Sequence, residues 1–161
     1  MPGLDNPDCP FCRQTAEVVM ATVFDVAAYI LAKRGEMTTW KLQKLIYYCQ
    51  AWSLVWDERP MFNERIEAWA NGPVCPALYG MHRGMFTIAA VDRGDLSNLD
   101  PAARETIDAV VADYGNKSSQ WLSDLTHQEE PWRLARRGIP DGERSNSEIT
   151  LGAMAEYYGR L

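Results

Sequence analysis

Residues 38–56, reading TTWKLQKLIYYCQAWSLVW, hold one unbroken helical pattern, and this segment constrains the fold more than any other. Leu42, Leu45, Ile46, Cys49 and Trp56 recur at helical spacing and form an apolar stripe. The rest of an amphipathic helix should be polar. Here it carries Trp40, Tyr47, Tyr48 and Leu54 beside Lys41, Gln43, Lys44 and Gln50. That is more aromatic surface than one amphipathic helix needs. Either the helix is central and buried on several sides, or it offers an adhesive face to a partner.

Other helices flank this one. Thr22 followed by Asp25 has capping-box spacing, and Val23, Val26, Ala27, Ile30 and Leu31 continue as a stripe that Gly35 ends. Thr38 is the expected cap of the long helix. Met61-Phe62 and Ile66–Trp69 read as two short strands about a polar turn, and Asn71-Gly72-Pro73 as a further turn. A helix follows from Cys75 to His82, with Pro76 in its first turn. Residues 86–99 read as loop. Asp100 caps a helix carrying Ala103, Ile107, Val110, Val111 and Tyr114; Trp121, Leu122 and Leu125 mark the next. Pro131 breaks that helix, a short turn follows at residues 132–135, and a last helix starts at Ser147 or Thr150. The expected fold is mainly α: a single compact helical domain, residues 20–161, with a small β-hairpin inserted after the second helix. Residues 1–19 carry Pro2, Gly3, Pro7 and Pro10 and read as a partly irregular N-terminal extension, with Met20 a candidate initiator.

The net charge of −6 argues against nonspecific binding to nucleic acid or anionic lipid, which requires clustered Lys and Arg. No apolar run approaches a membrane span, Met1 to Cys12 lack signal-peptide character, and four scattered cysteines do not make a disulfide framework. A reducing cytoplasm is the expected location.

Candidate chemistry is sparse. Cys9 and Cys12 form a lone CxxC without a matching pair, so they are weak metal candidates, and no cofactor is expected. Cys75 and His82 share a helix face, but seven residues rise about 10.5 Å, too far for a nucleophile and its base. The helix–turn–helix–hairpin order resembles a winged DNA reader, yet the second helix offers only Lys41 and Lys44. Arg133, Arg136, Arg137 and Arg144 read as a solvated loop. What remains is the aromatic set Trp40, Tyr47, Tyr48, Trp52, Trp69 and Tyr79, which divides between core packing and a protein-binding patch.

The ordered series KLQKLIYYCQAW at residues 41–52, then Met61-Phe62, then IEAWANGPV at residues 66–74, then Tyr79, resembles the Panacea domain, a SocA-like, phage-associated antitoxin family. The resemblance extends over residues 22–160 and is strongest from 38 to 80. The pattern departs from the family at Met61, where leucine is usual, and at Asn71, where an aromatic residue is common. The resemblance implies a non-enzymatic antitoxin that binds a separately encoded toxin. Leu42, Leu45, Trp52, Phe62, Trp69, Gly72, Pro73, Val74 and Tyr79 match the family motif and have scaffold roles. One member type resembles a proteolytic adaptor, which would add a protease as partner. Some relatives carry an added DNA-binding or zinc-ribbon part; the segment ahead of Met20 is shorter than that, so transcriptional autoregulation is not expected. The expected contact residues are Trp40, Gln43, Lys44, Tyr47 and Tyr48. The expected partner is a cognate protein toxin encoded nearby; a second copy of the chain is allowed, and nucleic acid or membrane is not expected.

Overall fold

The computed structural model describes residues 20–161. Cys9 and Cys12, and the N-terminal extension as a whole, lie outside the described residues. The fold begins with α1 (Val23–Arg34), whose capping box is formed: Asp25 N–H donates to Thr22 Oγ1 at 3.4 Å and Thr22 N–H to Asp25 Oδ2 at 2.8 Å. Asp25 also accepts from Asp95 N–H at 2.8 Å and Asn98 Nδ2 at 3.2 Å, so a buried cap carboxylate fastens the distant loop over this helix end.

Strand β1 (Met37–Thr38) leads into α2 (Thr39–Trp56), whose cap Thr38 accepts from Lys41 N–H at 3.2 Å. α2 is the central strut. It packs against α1, β1, β3 (Gly72–Val74), α4 (Pro101–Tyr114), α5 (Ser119–Gln128) and α7 (Leu151–Tyr158). Enclosure on so many sides accounts for its surplus of large side chains: Leu42, Leu45, Ile46, Tyr47, Tyr48 and Cys49 are all buried. Between these elements lie α3 (Pro76–His82), β4 (Thr87–Ile88), a 3-10 turn (Leu96–Asn98), α6 (Glu130–Ala135) and β5 (Glu148–Ile149). The architecture of the described residues is mainly α with two small sheets.

Two expectations about the strands are corrected. The hairpin lies later than expected: β2 (Ile66–Trp69) pairs antiparallel with β3, Trp69 facing Gly72 across a tight turn at Ala70-Asn71. Residues read as a turn are a strand because Gly72, at φ 126°, adopts a backbone that only glycine takes readily. Met61 and Phe62 form no strand. Their peptide groups are held instead by Gln50, whose Oε1 accepts from Met61 N–H at 2.7 Å and Phe62 N–H at 3.3 Å, while its Nε2 donates to Phe62 O at 2.8 Å. β5 adds to the other edge of β2, and β1 pairs with β4. The turn expected after Pro131 is the short helix α6, with Pro131 tolerated in its first turn.

Candidate partner-binding site

Four of the five expected contact residues point inward, which corrects the expectation that they form an exposed patch. Gln43 and Lys44 are 1% exposed, Tyr47 1% and Tyr48 0%. Each has internal work. Gln43 Oε1 accepts from Cys75 N–H at 2.9 Å, and its Nε2 reaches Cys75 O at 3.4 Å and His82 Nε2 at 2.9 Å. An amide nitrogen only donates, so His82 accepts there and is neutral; burial holds its pKa below the usual value. Gln43 thus fixes both ends of α3. Lys44 Nζ donates to Pro73 O at 3.4 Å and lies 5.4 Å from the Trp40 ring centre, and burial draws its pKa from 10.5 to about 7. A Cβ on Gly72 would sit 2.5 Å from Lys44 Cε, so β3 approaches the lysine stem closely because residue 72 has no side chain.

Tyr47 and Tyr48 belong to a buried hydroxyl cluster. Tyr48 donates to Glu129 Oε1 at 2.6 Å and Tyr158 to the same oxygen at 2.9 Å, with the Tyr47 hydroxyl 3.0 Å from that of Tyr158. Burial raises the Glu129 pKa, and the two hydroxyl donors oppose that rise. The carboxylate therefore ties α2, α7 and the α5–α6 junction together. Trp52 is half-buried, stacked on Trp56 at 4.9 Å, with its indole N–H donating to Tyr114 at 3.2 Å. Leu42, Leu45, Phe62, Pro73 and Val74 are interior.

Trp40, Trp69 and Tyr79 behave differently. All three are half-buried and line an open cleft of about 630 Å³ beside the hairpin tip. Tyr79 is the middle ring, edge-on to Trp69 at 4.9 Å and tilted against Trp40 at 6.3 Å. Trp40 comes from the first turn of α2, Trp69 from the end of β2 and Tyr79 from α3, so three ordered elements hold the rings. Arg83 and Arg144 complete the rim with Glu67, Ala70, Asn71, Ser145 and Asn146. Glu67 is engaged within the fold, 3.1 Å from Arg65 and accepting from the Trp69 indole at 2.9 Å. A smaller cleft of about 410 Å³ lies on the other side of the tip, sharing Ala70 and lined by His127, Trp132, Arg133 and Arg136.

Arg136, expected in a solvated loop, is instead buried. Its guanidinium donates to Ala68 O at 3.0 Å, Pro140 O at 3.1 Å and Glu143 O at 2.7 Å, so it moors the 137–147 loop to the hairpin. One arginine among several in a polar stretch gives no periodicity by which to find it. Cys75 is buried, and burial pushes its thiol up to about 11, which suppresses the thiolate a nucleophile needs. Cys75 and His82 each contact Gln43 rather than each other. Among the described residues, no three His, Cys, Asp or Glu side chains cluster as metal ligands, and no helix is long and apolar enough to cross a membrane.

The family comparison gives the chain a family, independently of this geometry. Residues 42–133, more than half of the 161, match the model of the antitoxin SocA-like Panacea domain. The chain belongs to this family. No curated protein and no solved structure matches it. Within the Panacea domain the matched span takes in Trp69, Tyr79 and Arg83, whereas Trp40 and Arg144 lie outside it. The cleft is therefore lined by residues from inside and outside the matched span.

Proposed function

We propose that this chain is an antitoxin that neutralises a cognate protein toxin by binding it directly, with the hairpin-tip cleft as the contact surface. The observation that carries this reading is the set Trp40, Trp69 and Tyr79, held around an open cleft by three separate elements while Tyr47 and Tyr48 are sealed in the core. Trp and Tyr dominate interface hot spots because they bury a large area at low entropic cost. Membership of an antitoxin family gives the class of partner.

The test is co-expression with the product of the neighbouring gene. Growth should stop with that product alone and resume when this chain is present. Trp40→Ala combined with Tyr79→Ala should weaken the complex by about 2 kcal/mol or more, roughly thirtyfold, with the fold retained. A neighbour that is harmless alone, or that stays toxic beside the wild-type chain, refutes the antitoxin reading. Protection accompanied by a shortened toxin lifetime identifies delivery to a protease; an unchanged lifetime identifies occlusion. Cys75→Ser should protect as well as wild type, because the reading gives that thiol no chemical step.

A further inference from the structure

The reading of the hairpin-tip cleft as the toxin-contact surface leads to a more specific statement about what enters it. We infer that the cleft receives an anionic segment of the toxin, with an aromatic or large apolar side chain among the rings and flanking Asp or Glu side chains at Arg83 and Arg144. The charges at the rim are the reason. The whole chain has net charge −6, yet the uncommitted charges at this cleft are both positive. Arg83 and Arg144 are exposed and have no ion-pair partner among the described residues. The rim acid, Glu67, is already held by Arg65 and the Trp69 indole. Across the hairpin tip Arg133 and Arg136 line the second cleft, opposed there by Asp141. A guanidinium presents a planar fork that pairs with a carboxylate through two hydrogen bonds. On an acidic body, such a positive window steers an acidic partner to one place and suppresses approach elsewhere.

A protein segment fits better than a nucleic acid. A polyanion extending beyond the cleft would run onto the negative remainder of the molecule, and two arginines release few counterions. A cleft of about 630 Å³ accommodates a few side chains. The rings supply the apolar floor, and the loop bearing Arg144 is fixed from below by Arg136.

The probe is a capped pentapeptide, Asp-Glu-Trp-Glu-Asp, titrated into the isotopically labelled full chain while the indole N–H signals of Trp40 and Trp69 are followed. Lys-Arg-Trp-Arg-Lys and a short oligothymidylate serve as comparisons. The acidic peptide should shift both indole signals and bind about tenfold or more tighter than the basic one. Arg83→Glu with Arg144→Glu should reverse that preference; Arg83→Gln with Arg144→Gln should abolish it, and both sites are exposed so that the fold survives. Equal binding of the two peptides, preference for the basic one, or tighter binding of the oligothymidylate overturns the inference. Co-expression separates its failure from that of the antitoxin reading. If wild type and the Glu double variant protect equally, the anionic-segment inference falls while the antitoxin reading stands. If wild type gives no protection, the antitoxin reading falls and takes this inference with it. Loss of protection in the folded double variant supports both.

Discussion

Lys44 is stored in an environment that suits its neutral form. Its amine touches one carbonyl and an aromatic ring, and its pKa falls from 10.5 to about 7. Between those values the unfolded chain holds more protons on this side chain than the folded one, so stability attributable to Lys44 rises with pH across that window. Below about pH 7 both states are protonated and the penalty for the buried charge is fully present. The slope reaches at most about 1.4 kcal/mol per pH unit. Lys44→Met should flatten it, as measured by urea unfolding of both proteins from pH 7 to pH 9. Gln50 makes a different prediction. Gln50→Ala removes the partners of two buried N–H groups and a carbonyl and should cost about 2–4 kcal/mol, visible as a lowered midpoint in the same unfolding experiment. Gly72→Ala should destabilise by about 1–3 kcal/mol through its backbone conformation, and further because its Cβ would meet the buried Lys44 stem at 2.5 Å.

At the scale of elements, the longer helices are legible in the sequence, whereas the short helix α6 and the strand pairings are not. Thr22, Thr38, Asp100, Ser118 and Thr150 each accept the capping N–H that their position implies, because a cap is a local device written within four residues. β1, β4 and β5 are two residues long and join segments far apart in the chain, so no periodicity announces them. The hairpin was displaced because Gly72 serves both a turn and a strand, and because Gln50 does for Met61 and Phe62 what a neighbouring strand would otherwise do. In the sequence Pro131 marks the α5–α6 junction only as a helix break, yet Glu129 there accepts from two tyrosines on other helices. Glu129→Ala leaves both hydroxyls without their acceptor and should cost about 2–4 kcal/mol; Glu129→Gln keeps an acceptor oxygen and should cost less than half as much. Thermal melts of the two variants check the ordering.

At the scale of the whole molecule, α2 is the element through which the others meet. Its amides should exchange with solvent last, at a rate set by global unfolding, while those of residues 137–147 exchange early; hydrogen exchange read by mass spectrometry tests this ordering. The candidate site was half legible. Trp40, Trp69 and Tyr79 stood out by residue type, but type cannot separate a sealed ring from a rim ring; only the six-sided packing of α2 sorts Tyr47 and Tyr48 from Trp40. Arg83 carries no sequence signal and Arg144 reads only as part of a solvated basic loop, since their meeting comes from two loops converging on one hairpin tip.

The inward turn of Gln43, Lys44 and Gln50 has a consequence for how such a molecule changes over time. The polar groups that set its architecture are out of reach of any visitor, whereas the side chains of Arg83, Arg144 and Asn71 lie at the periphery, Arg83 and Arg144 without an ion-pair partner among the described residues. Replacing those few outer groups leaves the buried polar bonds of the long helix undisturbed. If the hairpin-tip cleft is the contact surface as proposed, a change of partner can begin at these outer side chains and leave the packing of the chassis intact.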